Sequence, residues 1–358
     1  CQSPRDMDTP ALAHPLRLVA GAPLRGAIRV PGDKSISHRA LMLAGLAVGE
    51  SRISGLLEGE DVLSTAAAMR AMGARIARTG DGCWSVWGAG VGSLLQPEAA
   101  LDMGNSGTST RLLMGLVASH PLTATFIGDA SLSRRPMARV IEPLALTGAE
   151  FHASPGGRLP LMVRGLAPAI PLSYRLPVAS AQVKSAILLA GLNIRGETRV
   201  EEPVPTRDHS ERMLAGFGAD IDVTSGSDGA RVLRLRGPAE LRPQAIVVPG
   251  DPSSAAFPAV AATLVPNSEV RIEGVGLNPT RDALFRVLDR MGADIARENP
   301  RIVGGEPVAD LTIRHAALRG IEVPPEWAPA MIDEYPILFV AAALAEGRTV
   351  MRGIGELR

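Results

Sequence analysis

Apolar residues along the chain form two recurring patterns, and the first is a helix followed by a strand. In five places a cluster of small or polar residues opens a segment rich in Ala and Leu, and an alternating segment follows. Length and periodicity favour a buried helix for the first segment and a half-buried strand for the second. We expect these helices to begin near Ser35, Ser106, Ser180, Ser253 and Asp333.

The second pattern is a helix that ends at a Gly-Ala dipeptide and continues into an alternating strand. It occurs at Gly73, Gly148, Gly218 and Gly292, which are 70 to 75 residues apart. A glycine at this point suits the left-handed cap that ends many helices. Spacing this regular predicts an α/β fold made of stacked copies of one supersecondary unit.

The two patterns occur in unequal numbers. There are five copies of the first and four of the second, because the last copy stops at "GIGELR" with no second helix or Gly-Ala strand. A design with six complete copies would need roughly 70 to 90 more residues. We therefore expect a C-terminally truncated chain. The alternative is a natural chain that ends inside a repeat, which would leave a half-covered sheet with an open edge.

Composition is typical of a soluble globular protein. With 358 residues, 46% hydrophobic and 21% charged, the chain is long enough for about two domains. The net charge is zero, which argues against nucleic acid or an anionic membrane as a partner and makes any anion site local. The runs "AILLAGL" and "ILFVAAALA" are shorter than the roughly 18 to 20 residues of a membrane span.

Motifs for disulfide, metal and nucleotide sites fail in detail. Cys1 and Cys83 give neither a disulfide framework nor a metal-ligand spacing, which predicts a reducing cytoplasm, and the six histidines show no metal spacing. "VPGDKS" lacks the first glycine of a P-loop. "GAGVGS" at 88–93 resembles a dinucleotide fingerprint, but Pro97 interrupts the helix that should follow, so we expect a loop.

Cationic residues cluster at the predicted helix starts, above all in "RVPGDKSISHR". Lys34 and Lys184 are the only lysines among 37 Lys and Arg residues. Helix N-termini offer free N–H groups and a positive dipole end to anions, although ordinary capping explains any single case. Because several copies carry a cation, we expect an anion site that the repeats share. The other cations of this set are Arg39, Arg111, Arg134, Arg135 and Arg207.

An acid pair in "PAMIDEYPILFV" allows two interpretations. Asp333 and Glu334 stand immediately before an apolar helix. As N-terminal acids they would stabilise the helix dipole by about 0.3 to 1 kcal/mol. As a catalytic carboxylate, one of them would be a base that faces an anionic substrate held by arginines. The residues alone leave both interpretations open.

Seven motifs, in order, resemble the family of 3-phosphoshikimate 1-carboxyvinyltransferases, also called EPSP synthases. They are "PGDKSISHR", "GNSGTSTR", "SRRPM", "LPVASAQVKSAILLAGL", "TRDHSERML", "GDPSSAAF" and "MIDEYPIL". The resemblance runs from about residue 16 to the last residue. In that family "GELR" is followed by a Lys-Glu-Ser-Asp-Arg segment, which this sequence does not contain.

The resemblance implies a two-domain, inside-out α/β fold, the enolpyruvyl transferase fold. The family builds it from six βαβαββ-type repeats, of which the last is incomplete here. Helices would lie inside and sheets outside, with substrate bound in the cleft between two lobes. The first lobe would combine residues 1–31 with 248–358, and the second would hold three repeats in residues 32–247. We expect a monomer.

The implied reaction transfers the enolpyruvyl group of phosphoenolpyruvate to the 5-hydroxyl of shikimate 3-phosphate and releases phosphate, in the shikimate pathway of aromatic amino acid biosynthesis. No metal or organic cofactor takes part. A base takes the hydroxyl proton, an acid protonates the methylene carbon, and a tetrahedral ketal then collapses. Both substrates carry a phosphate and a carboxylate, so the site needs many cations.

The resemblance assigns one set of residues to shikimate 3-phosphate. Asp333 would be the base at the 5-hydroxyl, and Lys34 would touch both substrates. Ala181 stands where some relatives have a second serine, so only its backbone could bond there. The set is Lys34, Ser35, Arg39, Ser180, Ala181, Gln182, Arg207 and Asp333.

A second set belongs to phosphoenolpyruvate, namely Lys34, Gly107, Arg135 and Gln182. Gly107 has no side chain and should leave room for glyphosate, the family's inhibitor. The family's acid glutamate, a lysine and several C-terminal cations have no counterpart here. We therefore expect these 358 residues alone to be inactive or nearly so, and the full-length product to be active.

Two alternatives remain beside this function. The related enolpyruvyl transferase that acts on UDP-N-acetylglucosamine shares the fold and the donor, but it normally carries a reactive loop cysteine, and neither Cys1 nor Cys83 has that context. A catalytically dead binding relative would keep the repeats and lose the charged site. The chain retains the charged and polar site residues, which argues against it: Lys34, Arg39, Arg135, Gln182 and Asp333.

Overall fold

The computed structural model describes residues 21–226 and 228–357. Cys1 and the first 20 residues of the predicted first lobe lie outside the described residues. In the described part of the chain, no helix combines the length and apolar character needed to cross a membrane.

Helices and strands alternate along the whole described chain. The α-helices are α1 (Lys34–Leu46), α2 (Glu60–Ala71), α3 (Gly107–Ala118), α4 (Ala138–Ala145), α5 (Ala181–Gly191), α6 (His209–Gly216), α7 (Pro252–Leu264), α8 (Ala283–Met291) and α9 (Tyr335–Ala343). The β-strands are β1 (Arg25–Ile28), β2 (Gly49–Ser54), β3 (Arg75–Gly80), β4 (Cys83–Gly88), β5 (Leu101–Asp102), β6 (Thr123–Ile127), β7 (Glu150–Ser154), β8 (Arg158–Arg164), β9 (Ser173–Arg175), β10 (Gly196–Glu202), β11 (Asp220–Ser225), β12 (Arg231–Gly237), β13 (Ala245–Val247), β14 (Glu269–Gly276), β15 (Asp294–Val303), β16 (Glu306–Arg314), β17 (Glu322–Val323) and β18 (Val350–Met351).

Four sheets repeat one strand order. They are β13-β2-β4-β3, β5-β6-β8-β7, β9-β10-β12-β11 and β1-β14-β16-β15. In each sheet the first pair is parallel and the other two pairs are antiparallel. The pair β17-β18 is parallel and repeats the first two strands of the same order. The α/β repeat predicted from the hydrophobic pattern is therefore confirmed.

The Gly-Ala dipeptides end helices as predicted. Gly73, Gly148, Gly218 and Gly292 have φ angles of +100°, +92°, +89° and +96°. These values lie in the left-handed region, which costs a glycine little. The chain then turns into β3, β7, β11 and β15 respectively.

Helices α1, α3 and α5, which open the first three repeats, lie inside the molecule, whereas α9 buries only Tyr335, Leu338 and Ala341. Helix α1 is buried from Ile36 to Leu46, and most residues of α3 and α5 are buried as well. Helices α3 and α5 approach closely at Gly115, where a Cβ atom would lie 2.2 Å from the carbonyl oxygen of Ala186. Burial on nearly all faces explains why these helices read as Ala-rich and Leu-rich rather than amphipathic.

The hydrophobic residues separate into groups along the chain. One large cluster holds buried residues between Ile36 and Val248, whereas two smaller clusters hold buried residues between Ala255 and Ala341. Two chain segments that connect these groups lie side by side. Asp33 N donates to Pro249 O at 2.8 Å, and Asp251 N donates to Pro31 O at 2.9 Å.

Candidate active site

The N-terminal ends of the inner helices lie together. The backbone N–H of Lys34, at the start of α1, is 3.4 Å from a carboxylate oxygen of Asp251, which caps α7. The Ser109 hydroxyl in α3 donates to the Asp61 carbonyl in α2 at 3.2 Å. Several positive helix ends therefore meet in one region, which favours anion binding.

Lys34 is positioned by the cap of α1. The Asp33 carboxylate accepts a hydrogen bond of 2.9 Å from Ile36 N and so fixes the first turn. From this turn the Lys34 ammonium reaches out to within 3.4 Å of the Asp61 carboxylate, with half of its side chain exposed. A half-exposed ammonium on a long side chain at a helix start can reach a ligand in this region.

Arg39 lies one turn further along α1 and is buried. It donates to the Ser35 carbonyl at 2.9 Å and to the hydroxyls of Ser210 and Ser185, each at 2.7 Å. Burial lowers the pKa of Arg39 to about 10, while the nearby Glu211 acts to raise it. Arg39 therefore remains cationic at neutral pH although its partners are neutral oxygens.

A second cationic group surrounds Gly107, the first residue of α3. A Cβ atom at this glycine would lie 2.8 Å from Arg111 Nη1 and 3.3 Å from Arg135 Nη1. Burial lowers the pKa of Arg111 to about 10, and Arg139 and Arg135 lower it further. Arg135 is oriented by its 2.7 Å hydrogen bond to the Asn105 side chain. Because Gly107 has no side chain, both guanidinium groups can lie this close to the start of α3.

Helix α5 contributes Gln182 to the same place. Ser180 caps this helix through the N–H of Val183 at 3.4 Å, and Ala181 is its first residue. The Gln182 side chain accepts from Arg111 Nη1 at 3.1 Å and donates to the Thr108 hydroxyl at 3.1 Å. The structure therefore brings Gln182 to Gly107 and its arginines.

Arg207 and Asp333 meet although 126 residues separate them in the chain. Arg207 Nη2 lies 2.6 Å from Asp333 Oδ2. Burial acts to raise the pKa of Asp333, but the charge and hydrogen bond of Arg207 outweigh it and hold this pKa below its ordinary value. The charge of Lys34 acts in the same direction, so the carboxylate is ionised close to two cations.

The acid pair before α9 divides between two environments. Glu334 is buried, accepts a hydrogen bond from the Ser253 hydroxyl and has its pKa raised by burial, whereas the Asp333 side chain is 56% exposed. Asp333 lies in a 3₁₀ turn over Ile332–Glu334. Of the two acids, Asp333 is the one that faces the open region.

A buried cation beside this pair was missed at the level of sequence. Arg281 is 4% exposed, donates to the Ser253 hydroxyl at 2.8 Å and to Asp251 at 3.3 Å, and lies 3.9 Å from Glu334. The motif "GDPSSAAF" contains two of its partners. Arg281 itself stands in "PTRD" before α8, the same four residues that carry Arg207 before α6, and this repeat is the sequence signal that could have found it. These contacts link the start of α7 to Glu334, the neighbour of Asp333 in the chain.

The predicted site residues therefore form three directly bonded groups. Lys34 is paired with Asp61, Arg39 with the backbone of Ser35, and Arg207 with Asp333, while the remaining predicted residues surround α3 and α5. Within the described residues, no group of three or more His, Cys, Asp or Glu side chains has the arrangement of a metal site.

Comparison with known proteins places the chain in one family. The sequence model of the family described as EPSP synthase (3-phosphoshikimate 1-carboxyvinyltransferase) matches residues 18–358. The 3-phosphoshikimate 1-carboxyvinyltransferase of Novosphingobium aromaticivorans is 70% identical over 345 residues, which cover 96% of this chain and 78% of the relative. That of Zymomonas mobilis is 64% identical over 352 residues, covering 98% of this chain and 78% of the relative.

Solved structures agree with the sequence comparison. EPSP synthase from Acinetobacter baumannii superposes with a TM-score of 0.84 at 46% identity, over 92% of this chain and 74% of that one. An enolpyruvyl transferase from Streptomyces tendae, at 23% identity and a TM-score of 0.70, shares the fold over 93% of this chain and 76% of its own. The chain belongs to the EPSP synthase family.

Proposed function

We propose that this protein transfers the enolpyruvyl group of phosphoenolpyruvate to the 5-hydroxyl of shikimate 3-phosphate, with release of phosphate. Membership of the EPSP synthase family supports this activity. The single observation that carries the proposal at the site is the Arg207–Asp333 pair beside Lys34. It sets an ionised carboxylate among cations and helix N-termini, which suits proton abstraction from an anionic substrate.

Asp333 is the proposed base at the 5-hydroxyl. While Arg207 is bonded to it, the pKa of Asp333 is low and the carboxylate is a weak base. When Arg207 turns to the phosphate of the substrate, its hold on Asp333 weakens, and the pKa of the carboxyl rises into a range better suited to accepting a proton. Substrate binding and activation of the base are coupled in this way.

The proposed binding site for shikimate 3-phosphate follows α1 and α5. Lys34 supplies an ammonium that both substrates can contact, and Arg39 supplies a buried guanidinium. The remaining proposed contacts are Ser35, Ser180, Ala181, Gln182 and Arg207. Their supports are the bonded groups around α1 and α5 and the arginine at Asp333.

The proposed binding site for phosphoenolpyruvate lies at the start of α3, where it is lined by Lys34, Gly107, Arg135 and Gln182. The two guanidinium groups beside Gly107 provide the charge for a small dianion, and Arg111 orients Gln182 at the same place. We propose that glyphosate binds at the same place, because it is also a small anion with a carboxylate and carries a phosphonate where phosphoenolpyruvate carries a phosphate ester.

The two lobes, residues 1–31 with 248–358 and residues 32–247, are part of the proposal. The separate hydrophobic clusters support them, and so do the two adjacent connecting segments near Asp33 and Pro249. We further propose a cytoplasmic location, on the basis of the scarcity of cysteine, and a monomer, as expected with the family resemblance.

Steady-state kinetics with two acceptors test the proposed function. We expect the enzyme, expressed from its intact gene, to release phosphate from phosphoenolpyruvate with shikimate 3-phosphate and not with UDP-N-acetylglucosamine. Cys83 lies in β4 rather than in a loop, which already disfavours the second acceptor. Binding of shikimate 3-phosphate in a calorimeter without any turnover would instead identify a binding relative and contradict the proposal.

A further inference from the structure

We propose that Lys184 is a positioning residue for Arg39 and Arg207, the two arginines assigned to shikimate 3-phosphate. By engaging Glu202 and Glu211 in an ion cluster beneath the site, it keeps these arginines directed at the substrate. This inference rests on the proposed function and deepens it. Lys184 touches neither proposed substrate site directly, so its effect must pass through its partners.

The ion cluster is defined by Lys184, Glu202, Glu211 and Arg231. Lys184 Nζ lies 2.9 Å from Glu202 Oε1 and 2.9 Å from Glu211 Oε1, and the three side chains are 0%, 0% and 5% exposed. Arg231 completes the cluster at 3.6 Å and 3.5 Å from the two carboxylates. Apolar residues of similar volume would often serve stability as well, because burying charges carries a desolvation cost.

One path from the cluster leads to Arg39. Ser185 follows Lys184 on α5, and Ser210 precedes Glu211 on α6. Arg39 donates to both hydroxyls at 2.7 Å, and the two hydroxyls are themselves bonded at 2.6 Å. The ion pairs of Lys184 therefore fix, from behind, the two helices that hold Arg39 in place.

Lys184 also keeps Glu211 from forming an ion pair with Arg39. In the part of the chain that the structure describes, Arg39 bonds only to neutral oxygens and forms no ion pair with a carboxylate. Glu211 lies close enough to influence Arg39 electrostatically, but its carboxylate is engaged by Lys184. Without Lys184, Glu211 would keep only the longer 3.5 Å contact with Arg231. Its charge would then be free to turn to Arg39 and to compete with the substrate phosphate for that guanidinium.

A second path leads to Arg207. Glu202, the last residue of β10, accepts hydrogen bonds from both the N–H and the hydroxyl of Thr206, the former at 3.0 Å. Thr206 immediately precedes Arg207 in the loop between β10 and α6. Lys184 and Thr206 share the same Glu202 oxygen, so the ammonium anchors the loop that presents Arg207.

The choice of lysine agrees with this role. The chain uses arginine at all basic positions except Lys34 and Lys184. A compact ammonium can sit between two buried carboxylates, whereas a planar guanidinium is larger and directs its donors in a fixed fork. The size and shape of a lysine side chain therefore suit the position of Lys184 between two carboxylates.

Three variants test the inference by the KM of each substrate, in the enzyme expressed from its intact gene. Lys184→Met should raise the KM for shikimate 3-phosphate at least tenfold and change the KM for phosphoenolpyruvate less than twofold. Thr206→Val, which removes one bond to Glu202 and leaves no buried charge unpaired, should raise the first KM about threefold. Adding Glu211→Gln to Lys184→Met should recover part of the loss, because the competing charge is gone.

A control separates positioning from general stability. Leu235→Ala, in β12 of the same repeat and fully buried, should lower the melting temperature and leave both KM values unchanged. Equal rises in both KM values, or an unchanged KM for shikimate 3-phosphate in Thr206→Val, would overturn the inference, the latter even if Lys184→Met fails to fold. Lack of transfer by the wild type would overturn the proposed function itself.

Discussion

At Gly107, an added Cβ atom should weaken the binding of glyphosate more than that of phosphoenolpyruvate. An added Cβ would lie 2.8 Å from Arg111 Nη1 and 3.3 Å from Arg135 Nη1. We expect Gly107→Ala to raise the inhibitory concentration of glyphosate at least about tenfold, a difference of about 1.4 kcal/mol. The KM for phosphoenolpyruvate should rise by a smaller factor, as measured by phosphate release over a range of inhibitor.

Gly216→Ala is a matched control, because a Cβ there meets no atom within 4 Å. It should leave the inhibitory concentration unchanged. If Gly107→Ala were as sensitive to glyphosate as this control, glyphosate would not bind beside Gly107 and its two arginines.

His38 couples folding stability to pH through a buried ring. It lies next to Lys34 and Arg39 in the interior, and burial, reinforced by these two charges, lowers its pKa from 6.5 to about 3. Below pH 6.5 the unfolded chain takes up a proton that the native state refuses, so stability falls as pH decreases toward 3. Between pH 7 and pH 5 this group should cost about 2 kcal/mol.

Urea unfolding of the wild type and of His38→Gln at the two pH values measures this contribution. The variant should be less stable at pH 7 but should lose about 2 kcal/mol less on going to pH 5. His152→Gln, on the exposed side of β7, should behave like the wild type. Parallel losses in the wild type and His38→Gln would contradict the buried neutral ring.

At the residue scale, the sequence predicted which side chains stand at helix starts better than it predicted which distant side chains they contact. The residues before α5 and α9 predicted the cap at Ser180 and the acid at Asp333. Nothing in the local pattern distinguishes Glu334, which turns inward to Ser253, from its neighbour. Arg281 shares the "PTRD" motif of Arg207, but its burial depends on carboxylates that are distant in sequence, so its environment could not be predicted.

At the element scale, the inner helices and the Gly-Ala turns were predictable because each is specified locally. Buried helices need apolar residues all round, and a left-handed cap needs glycine, so both leave a repeating mark. The loop predicted at 88–93 is present over 89–93, with positive φ at Gly90 and Gly92, whereas Gly88 is the last residue of β4. The short strands β5, β9 and β13 carry two or three residues each and leave no pattern of their own.

The crossing of α3 and α5 depends on Gly115. A Cβ at this position would lie 2.2 Å from the carbonyl oxygen of Ala186, so the helices would have to separate. We expect Gly115→Ala to reduce the free energy of unfolding by about 1 to 3 kcal/mol, as overpacking does. Urea denaturation of this variant measures the change.

Gly216→Ala, near the end of α6, again provides the comparison. Because its Cβ would be unobstructed, this substitution should be neutral or stabilise the protein by up to about 1 kcal/mol. Equal effects of the two substitutions would show that close helix packing at Gly115 is unimportant.

At the scale of the whole molecule, the site depends on contacts that local sequence does not encode. Strand β1 pairs with β14, and Arg207 meets Asp333 across 126 residues. Such long-range pairings follow from the stacking of repeats, which the hydrophobic pattern predicts in kind but not in register. The family resemblance predicted which distant residues share the site. The structure adds the buried ion pairs of Arg281 with Asp251 and Glu334.

The central claim is that the charged region at the helix N-termini transfers an enolpyruvyl group, with Asp333 as its base. The most direct measurement is a phosphorus NMR time course of phosphoenolpyruvate and shikimate 3-phosphate with catalytic amounts of enzyme, wild type or Asp333→Asn. The wild type should convert phosphoenolpyruvate into inorganic phosphate and one new phosphate ester, and the variant should do so about 10² to 10⁴ times more slowly. Unchanged spectra with the wild type, or equal rates for both proteins, would contradict it.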